Sequence, residues 1–230
     1  MTNMPAAGKV LLLAVALLVA GAARPINWMS QVSETEDGGH RMGNHDAKVR
    51  LIEFVSYTCS HCAHFHKEAD GAIQLAWVAP GKVSLEVRHV IRNPVDLAAA
   101  LLAECGPEEK FFANHSAFLN SQDAWIERIR SASEVTQARW RSGTIPQRMR
   151  AIASDTGFYD MMAARGYDRV AANRCLSDEA AAKRIAEQSE TGADAFGVTS
   201  TPSFAINDQL LEDTHTWDKL QLEIIDALKQ

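Results

Sequence analysis

The sequence predicts an α/β protein in which a sheet domain is interrupted by an all-helical insertion. Three observations carry this prediction. Residues 49–91 show strand, helix and strand patterns in succession, which favours a parallel crossover unit. Residues 93–196 are rich in alanine, arginine and glutamate and show little strand signal. Residues 197–230 return to short strands and a last amphipathic helix, which completes the sheet domain.

The start of the chain has the pattern of a targeting segment. Lys9 precedes an apolar run at 10–20, and small residues follow at 20–22. Such a run is short for a membrane span and suits a secretory signal. We therefore expect residues 1–23 to be a signal peptide, with an uncleaved membrane anchor as the alternative. Export would place the four cysteines where disulfides persist.

The first part of the sheet domain is assigned to residues 24–92. A short edge strand is expected at 29–32 or at 40–42. The nearly continuous apolar run at 49–56 predicts a buried parallel strand. Apolar residues then recur at helical spacing over 62–78, and the clean alternation at 83–91 predicts a second strong strand.

The inserted block and the chain end complete the pattern. In 197–230, strands at 203–206 and 209–211 flank Asn207-Asp208, a plausible two-residue turn. The final helix carries its apolar residues on one side. In residues 93–196, glycine and proline mark the ends of helical segments. They predict helices at 94–104, 107–120, 123–140, 145–155, 166–174 and 178–195.

Composition limits the function classes. The chain has 230 residues, of which 47% are hydrophobic, and a formal net charge of −6. This is an ordinary soluble composition, and its acidic balance argues against a nucleic-acid partner.

Cys59 and Cys62 form a Cys-X-X-Cys pair between the first strong strand and the helix after it. A thiol attacks only as a thiolate, and the free N–H groups of a helix start stabilise negative charge on Cys59. His61 between the thiols can add a donor or a positive charge, and Ser60 can cap the helix. A zinc or copper site that adds His66 is the alternative.

Glu53 and the Thr201-Pro202 pair are further candidates. A carboxylate in an apolar strand is costly unless it has a task, and burial would raise its pKa toward neutrality. Glu53 is therefore a candidate proton acceptor for Cys62, unless it lies at an edge and faces solvent. Pro202 either simply starts a strand or follows a cis bond that exposes the backbone of Thr201 to an extended substrate.

Cys105 and Cys175 both fall in the helical block. In an exported protein they are candidates for a structural disulfide, and two buried free thiols are the alternative. Neither has a Cys-X-X-Cys neighbour, so neither is expected to be catalytic.

These residues together resemble the DsbA-like branch of the thioredoxin superfamily. The resemblance rests on the stretch from Glu53 to Cys62 (EFVSYTCSHC), the helical insertion, and the stretch from Gly197 to Phe204 (GVTSTPSF). It covers nearly the whole chain after residue 48. The order and separation of these motifs around a helical insertion are more specific than either motif alone.

The resemblance implies a thioredoxin fold, a central mixed sheet flanked by helices, and a set of roles. Cys59 would be the exposed attacking thiol and Cys62 the buried one, with His61 stabilising the Cys59 thiolate. Glu53 would be the buried acid beneath them. Pro202 would be a cis proline facing the cysteines, with Thr201 contacting the substrate backbone.

The expected activity is that of a periplasmic protein thiol–disulfide oxidoreductase that needs no cofactor. Its partners would be reduced exported polypeptides and either a membrane quinone-linked reoxidising protein or a reductant donor. Ser60 and Thr201 depart from the best-known oxidases, so an isomerase or reductase is the rival within the class. Only about 25 residues separate the signal from the first strong strand, too few for the dimerisation domain of a DsbC-type isomerase, so we expect a monomer.

Overall fold

The computed structural model describes Thr2 and residues 26–230. Apart from Thr2, the predicted signal segment 1–23 lies outside the described residues. Within the described part of the chain, no helix is both long enough and apolar enough to cross a membrane.

One mixed sheet forms the centre of the molecule. Its strands lie in the order β1-β2-β4-β3-β5-β6. The β3–β4 pair is parallel and the other neighbours are antiparallel, so the predicted mixed sheet is confirmed. The strands are β1 (Val32–Glu34), β2 (His40–Gly43), β3 (Val49–Val55), β4 (Val83–His89), β5 (Ser203–Ile206) and β6 (Gln209–Leu210).

Helices flank this sheet, and α2 to α9 all lie between β4 and β5 in the sequence. Short helical turns lie at Trp28–Ser30, Gln74–Val78 and Glu108–Lys110. The α-helices are α1 (Ser60–Ile73), α2 (Pro94–Ala103), α3 (Phe111–Asn120), α4 (Gln122–Ser131), α5 (Glu134–Arg139), α6 (Ile145–Thr156), α7 (Phe158–Ala164), α8 (Arg169–Leu176), α9 (Glu179–Phe196) and α10 (Trp217–Lys229).

The sheet begins with a hairpin rather than the single edge strand that the sequence predicted. β1 and β2 pair antiparallel, so the segment at 40–42 is a strand, whereas 28–30 forms a helical turn. At the other edge, Asn207 and Asp208 both have positive φ, 49° and 71°. This is typical of a two-residue turn of the mirror-image type I class, and the predicted hairpin turn is confirmed.

The predicted helix at 123–140 is two helices. The chain is extended at Ala132, and the side chain of Ser133 accepts a hydrogen bond from the amide of Thr136, which starts α5. The two helices differ in direction, and Val135 of α5 is 78% exposed whereas Trp125 of α4 is buried. A local capping bond therefore divides a segment that the sequence predicted as one helix.

Two apolar layers cover the faces of β3. Successive side chains of a strand point to opposite faces. Leu51 and Val55 join the main core, whereas Ile52 and Phe54 form a small second cluster with Ala205. Glu53 therefore points to the same side as the main core.

Candidate functional site

The two thiols lie at the start of α1, directly after β3. Cys59 occupies the N-cap position and Cys62 is in the first turn of the helix. Both are free thiols in this structure. Cys59 is 6% exposed and Cys62 is fully buried, so Cys59 is the more accessible of the two, but it is less open than the resemblance implied.

The surroundings of Cys59 favour its thiolate. A hydrogen bond from the Cys62 thiol lowers the pKa of Cys59 to about 4, and hydrogen bonds from the Thr201 side chain and from the amides of Cys62 and His61 contribute in the same direction, against the effect of burial. These donors stabilise a sulfur anion, as expected for the unsatisfied N–H groups at a helix start. Cys59 therefore has the properties of a nucleophile or a leaving group.

Cys62 behaves in the opposite way. Burial raises the pKa of Cys62 well above that of an ordinary thiol, and its hydrogen bond to Cys59 adds to the rise. Cys62 must therefore lose a proton before it can attack. The two sulfur atoms differ in their chemistry because one lies at the helix end and the other lies inside the core.

Glu53 is a buried acid without a hydrogen-bond partner at Oε1. Burial raises the pKa of Glu53 to about 8, and the negative charge of Asp70 adds to the rise. β3 lies in the middle of the sheet, so the alternative of a solvent-facing edge position is wrong. The charge of Glu53 also makes a small contribution to the raised pKa of Cys62.

The segment before β5 faces the thiols. The peptide bond between Thr201 and Pro202 is cis. The Sγ atom of Cys59 donates a hydrogen bond to the carbonyl oxygen of Thr201 at 3.2 Å. A thiolate cannot make this bond, and the Thr201 hydroxyl, which is buried and otherwise unpartnered, is then the available donor. The carbonyl oxygen of Pro202 lies 2.7 Å from Nδ1 of His215.

An open groove of about 400 Å³ lies between α1, the cis segment and the start of α10. Its walls include His61 and Phe65 from α1, Thr201 and Pro202 from the cis segment, and Trp217 from α10. An apolar groove that includes the edge of an exposed backbone segment can hold an extended polypeptide.

His61 and Ser60 are both exposed. Within the described residues, the ring of His61 makes no hydrogen bond, and only its backbone amide acts on Cys59. Ser60 is the first residue of α1, and the cap position belongs to Cys59 without a side-chain cap. The expectation that Ser60 caps the helix is therefore wrong.

His66 is buried and lies 3.9 Å from a carboxylate oxygen of Asp70. Among the described residues, Cys59, Cys62 and His66 do not form a three-ligand group. The zinc or copper alternative at the cysteine pair thus lacks a third protein ligand in place.

Two buried polar residues shape the site without a recognisable sequence signal. Asp96 in α2 accepts hydrogen bonds from the hydroxyl of Ser56 and the amide of Thr58, both at 2.9 Å. Gln122 in α4 donates to the carbonyl oxygens of Tyr57, at 2.6 Å, and Cys59, at 2.8 Å. The helical block therefore holds the loop that presents the first thiol.

Cys105 and Cys175 lie away from this site. Their sulfur atoms are bonded to each other, across a sequence separation of 70 residues. The bond joins the segment after α2 to α8, so it links two parts of the helical block.

Comparisons with known proteins agree with this architecture. The model of a family described as "Thioredoxin" matches residues 35–227. The chain is 46% identical to a solved structure described as a protein-disulfide isomerase from Novosphingobium aromaticivorans, with a TM-score of 0.81 over 84% of this chain and 99% of that one. It is 22% identical to alpha-DsbA1 from Wolbachia pipientis, with a TM-score of 0.65 over 83% of this chain and 91% of that one, which is a likeness of fold.

A relative from Rickettsia bellii, named "Putative protein-disulfide oxidoreductase", is 25% identical over 167 residues. The match covers 72% of this chain and 56% of the relative, so the chain spans little more than half the length of that protein. Fold, thiol pair and family model agree: the chain belongs to the thioredoxin family and has the DsbA-like fold.

Proposed function

We propose that this protein is a thiol–disulfide oxidoreductase that introduces or exchanges disulfides in exported proteins. The observation that carries the proposal is the unequal thiol pair at the start of α1, in which the pKa of Cys59 is lowered to about 4 while that of Cys62 is raised. Disulfide exchange needs one thiol that leaves easily and one that is held in reserve. The names of the similar proteins support the same activity.

In the oxidising direction, a substrate thiolate attacks Sγ of Cys59 in the Cys59–Cys62 disulfide. The S–S bond breaks, Cys62 leaves with the electron pair, and a mixed disulfide joins Cys59 to the substrate. A second substrate thiolate then attacks the substrate sulfur of that bond and releases Cys59. The substrate has lost two electrons and the enzyme has gained them. Cys59 is a good leaving group because its thiolate is stabilised.

Glu53 is the proposed proton carrier for Cys62. When Cys62 leaves, a neutral carboxyl group can protonate it, and when Cys62 attacks a mixed disulfide, the carboxylate can accept its proton. A group that exchanges protons near physiological pH is best suited to both steps, and the pKa of Glu53 is about 8.

The proposed substrates are reduced polypeptides in the periplasm. An unfolded segment would lie in the apolar groove and pair with the backbone at Thr201, beside the cis bond. A membrane quinone-linked protein would reoxidise the thiol pair, and the enzyme would act as a monomer.

Isomerase or reductase work is the second candidate. The solved structure from Novosphingobium that shares 46% identity is described as a protein-disulfide isomerase, and Thr201 before the cis proline points the same way. In that direction Cys59 attacks a substrate disulfide as a thiolate, and Cys62 resolves the mixed disulfide.

The test is oxidative refolding of a reduced, disulfide-containing substrate. Cys59→Ser should abolish catalysis. Reduced Cys62→Ser, mixed with a substrate that carries a disulfide, should form a covalent complex, because the Cys59 thiolate attacks that disulfide and releases one substrate thiolate, and mass spectrometry should find the substrate on Cys59. Ser131→Ala, at an exposed position of α4 outside the groove, leaves both thiols in place and is the control. Full activity of Cys59→Ser, or a substrate bound to a different cysteine, would overturn the proposal.

A further inference from the structure

Three side chains converge in the interior away from the thiol pair, where the sheet meets the helical block. His40 comes from β2, His89 is the last residue of β4, and Glu104 directly follows α2. One potential ligand atom from each lies within 4.8 Å of the other two. His40 and His89 are 4% and 6% exposed, so the group is shielded from solvent.

The polar atoms of this group lack partners. Both ring nitrogens of His40, both ring nitrogens of His89 and Oε1 of Glu104 are buried without a hydrogen bond. Buried polar atoms in folded proteins nearly always have a partner, because they lose water on burial and need a replacement. β2, β4 and the end of α2 therefore bring buried polar atoms without hydrogen-bond partners to one point.

The spacing of these atoms suits a shared ion better than a direct bond. Nε2 of His40 and Nε2 of His89 lie 3.4 Å and 3.3 Å from Oε1 of Glu104. A charge-assisted hydrogen bond is about 2.7–2.9 Å long. Two ligand atoms that each lie about 2.0–2.1 Å from a tetrahedral zinc ion are about 3.3–3.4 Å apart.

The carboxylate is held in place from its other side. Oε2 of Glu104 accepts a hydrogen bond from Arg184 at 2.9 Å, and Arg184 is also paired with Glu34. The two carboxylates outnumber this guanidinium, so the immediate charge balance still favours a cation. Partners of this kind orient a ligand and are common one contact away from bound metals.

A small cavity leads up to the same point. His89 and Glu104 form part of its wall, together with Ser189 and with Arg88, whose charge is paired with Asp37. The cavity has a volume of about 10 Å³, which is close to what one water molecule needs.

We propose that His40, His89 and Glu104 bind one divalent transition-metal ion, zinc by preference, with water in the fourth position. Two imidazoles and one carboxylate are a ligand set that zinc uses in proteins. The ion would link β2, β4 and the end of α2, and so fasten the first hairpin to the helical block. The site is independent of the thiol pair and does not rest on the proposed function.

The test uses the full chain without a histidine tag and with Cys59→Ser and Cys62→Ser, so that no free thiol competes for metal. After treatment with a chelator, Zn²⁺ binding is measured by calorimetry and Co²⁺ binding by visible absorption. His89→Gln and Glu104→Gln are compared with His64→Gln, which changes an exposed histidine of α1.

We expect one ion per chain for the parent and for His64→Gln. Loss of a direct ligand should weaken binding more than about 100-fold, beyond the 10–100-fold that more distant partners contribute. X-ray absorption of the zinc-loaded parent should show two imidazoles, oxygen ligands and no sulfur. Because this spectrum is recorded on the parent, it tests the proposed ligands even if a variant does not fold. Failure of the parent to bind one zinc, unchanged affinity in both variants, or a sulfur-ligated zinc would overturn the proposal.

Discussion

At Glu53, burial in the sheet changes the proton affinity of an ordinary carboxyl group. The residue lies opposite Val87 of β4 and Phe204 of β5, so it has strands on both sides. No counter-ion accompanies it among the described residues, and the nearby charge of Asp70 is negative. Its neutral form is therefore favoured at pH 7, and it can give or take a proton near that pH.

Glu53→Gln should slow resolution of the mixed disulfide by Cys62 about 100-fold, because a positioned general base contributes about 10²–10⁴-fold to a proton transfer. The pKa of Cys59 should hardly change. Stopped-flow measurement of release from a preformed mixed disulfide checks this. Glu187→Gln, at an exposed position of α9, is the matched control. An unchanged release rate in Glu53→Gln would remove Glu53 from the mechanism.

The same raised pKa predicts a dependence of stability on pH. The folded state holds the Glu53 proton up to about pH 8, whereas the unfolded chain releases it near pH 4.5. The stabilisation from this proton is complete below pH 4.5 and is lost as the pH rises through 8, with an upper limit of about 5 kcal/mol. Urea unfolding should therefore show that Glu53→Gln gains stability relative to the parent between pH 4.5 and 8; parallel pH profiles would contradict this.

Individual residues differ in how far the sequence reveals them. The spacing of Cys59 and Cys62 and the isolated acid at Glu53 can be recognised in the sequence, because each stands out against its immediate neighbours in the chain. Asp96 and Gln122 cannot be recognised, because their contacts to the loop at Tyr57–Cys59 join residues 38 and 63 positions apart. An aspartate early in a helix and a glutamine at a helix start look like ordinary choices until the fold brings them to the loop.

At the scale of elements, the start of α2 and the loop after β3 form one polar unit. Asn93 caps α2 by accepting hydrogen bonds from the amides of Val95 and Asp96. The carboxylate of Asp96 then accepts hydrogen bonds from the loop, including the Thr58 hydroxyl at 3.0 Å. This unit fixes the backbone directly before Cys59, so the geometry of the thiol depends on a helix of the inserted block.

Asp96→Asn should lower the free energy of unfolding by about 2–3 kcal/mol, because an amide offers one acceptor oxygen where the carboxylate uses two, and a buried donor is left unpaired. Guanidinium unfolding measures the loss. Asp160→Asn, an exposed aspartate of α7, serves as control and should have almost no effect. Equal stability of the two variants would show that the loop does not rely on Asp96.

Element types were easier to predict than element ends. The strong strands, α1, the hairpin at Asn207 and the last helix follow from apolar period and turn residues. The helix Phe158–Ala164 was missed, because Gly157 looked like a break after a helix and also serves as the N-cap of the next one, at φ +83°. In the sequence, a glycine that links two helices looks the same as a glycine that ends a single helix.

The main apolar core of the described residues includes side chains of both the sheet and the helical block. The disulfide between Cys105 and Cys175 adds a covalent link inside that block. Its proposed role is structural, since it restricts the unfolded chain more than it shapes the thiol site.

Replacing both Cys105 and Cys175 by Ala should lower the free energy of unfolding by about 4 kcal/mol, which is the chain-entropy value for a loop of 70 residues. Denaturant unfolding checks this, with catalysis of refolding measured on the protein that remains folded. A double variant as stable as the parent would exclude a stabilising role for this bond.

The reduction potential of the Cys59–Cys62 pair tests the central claim most directly. A Cys59 pKa of about 4 stabilises the reduced form at pH 7 relative to a thiol of pKa about 7, as in thioredoxin. The difference corresponds to about 80 mV, so equilibration with glutathione should give a potential near −190 mV, against about −270 mV for thioredoxin. A value at or below −270 mV would contradict a stabilised Cys59 thiolate and the oxidising role built on it.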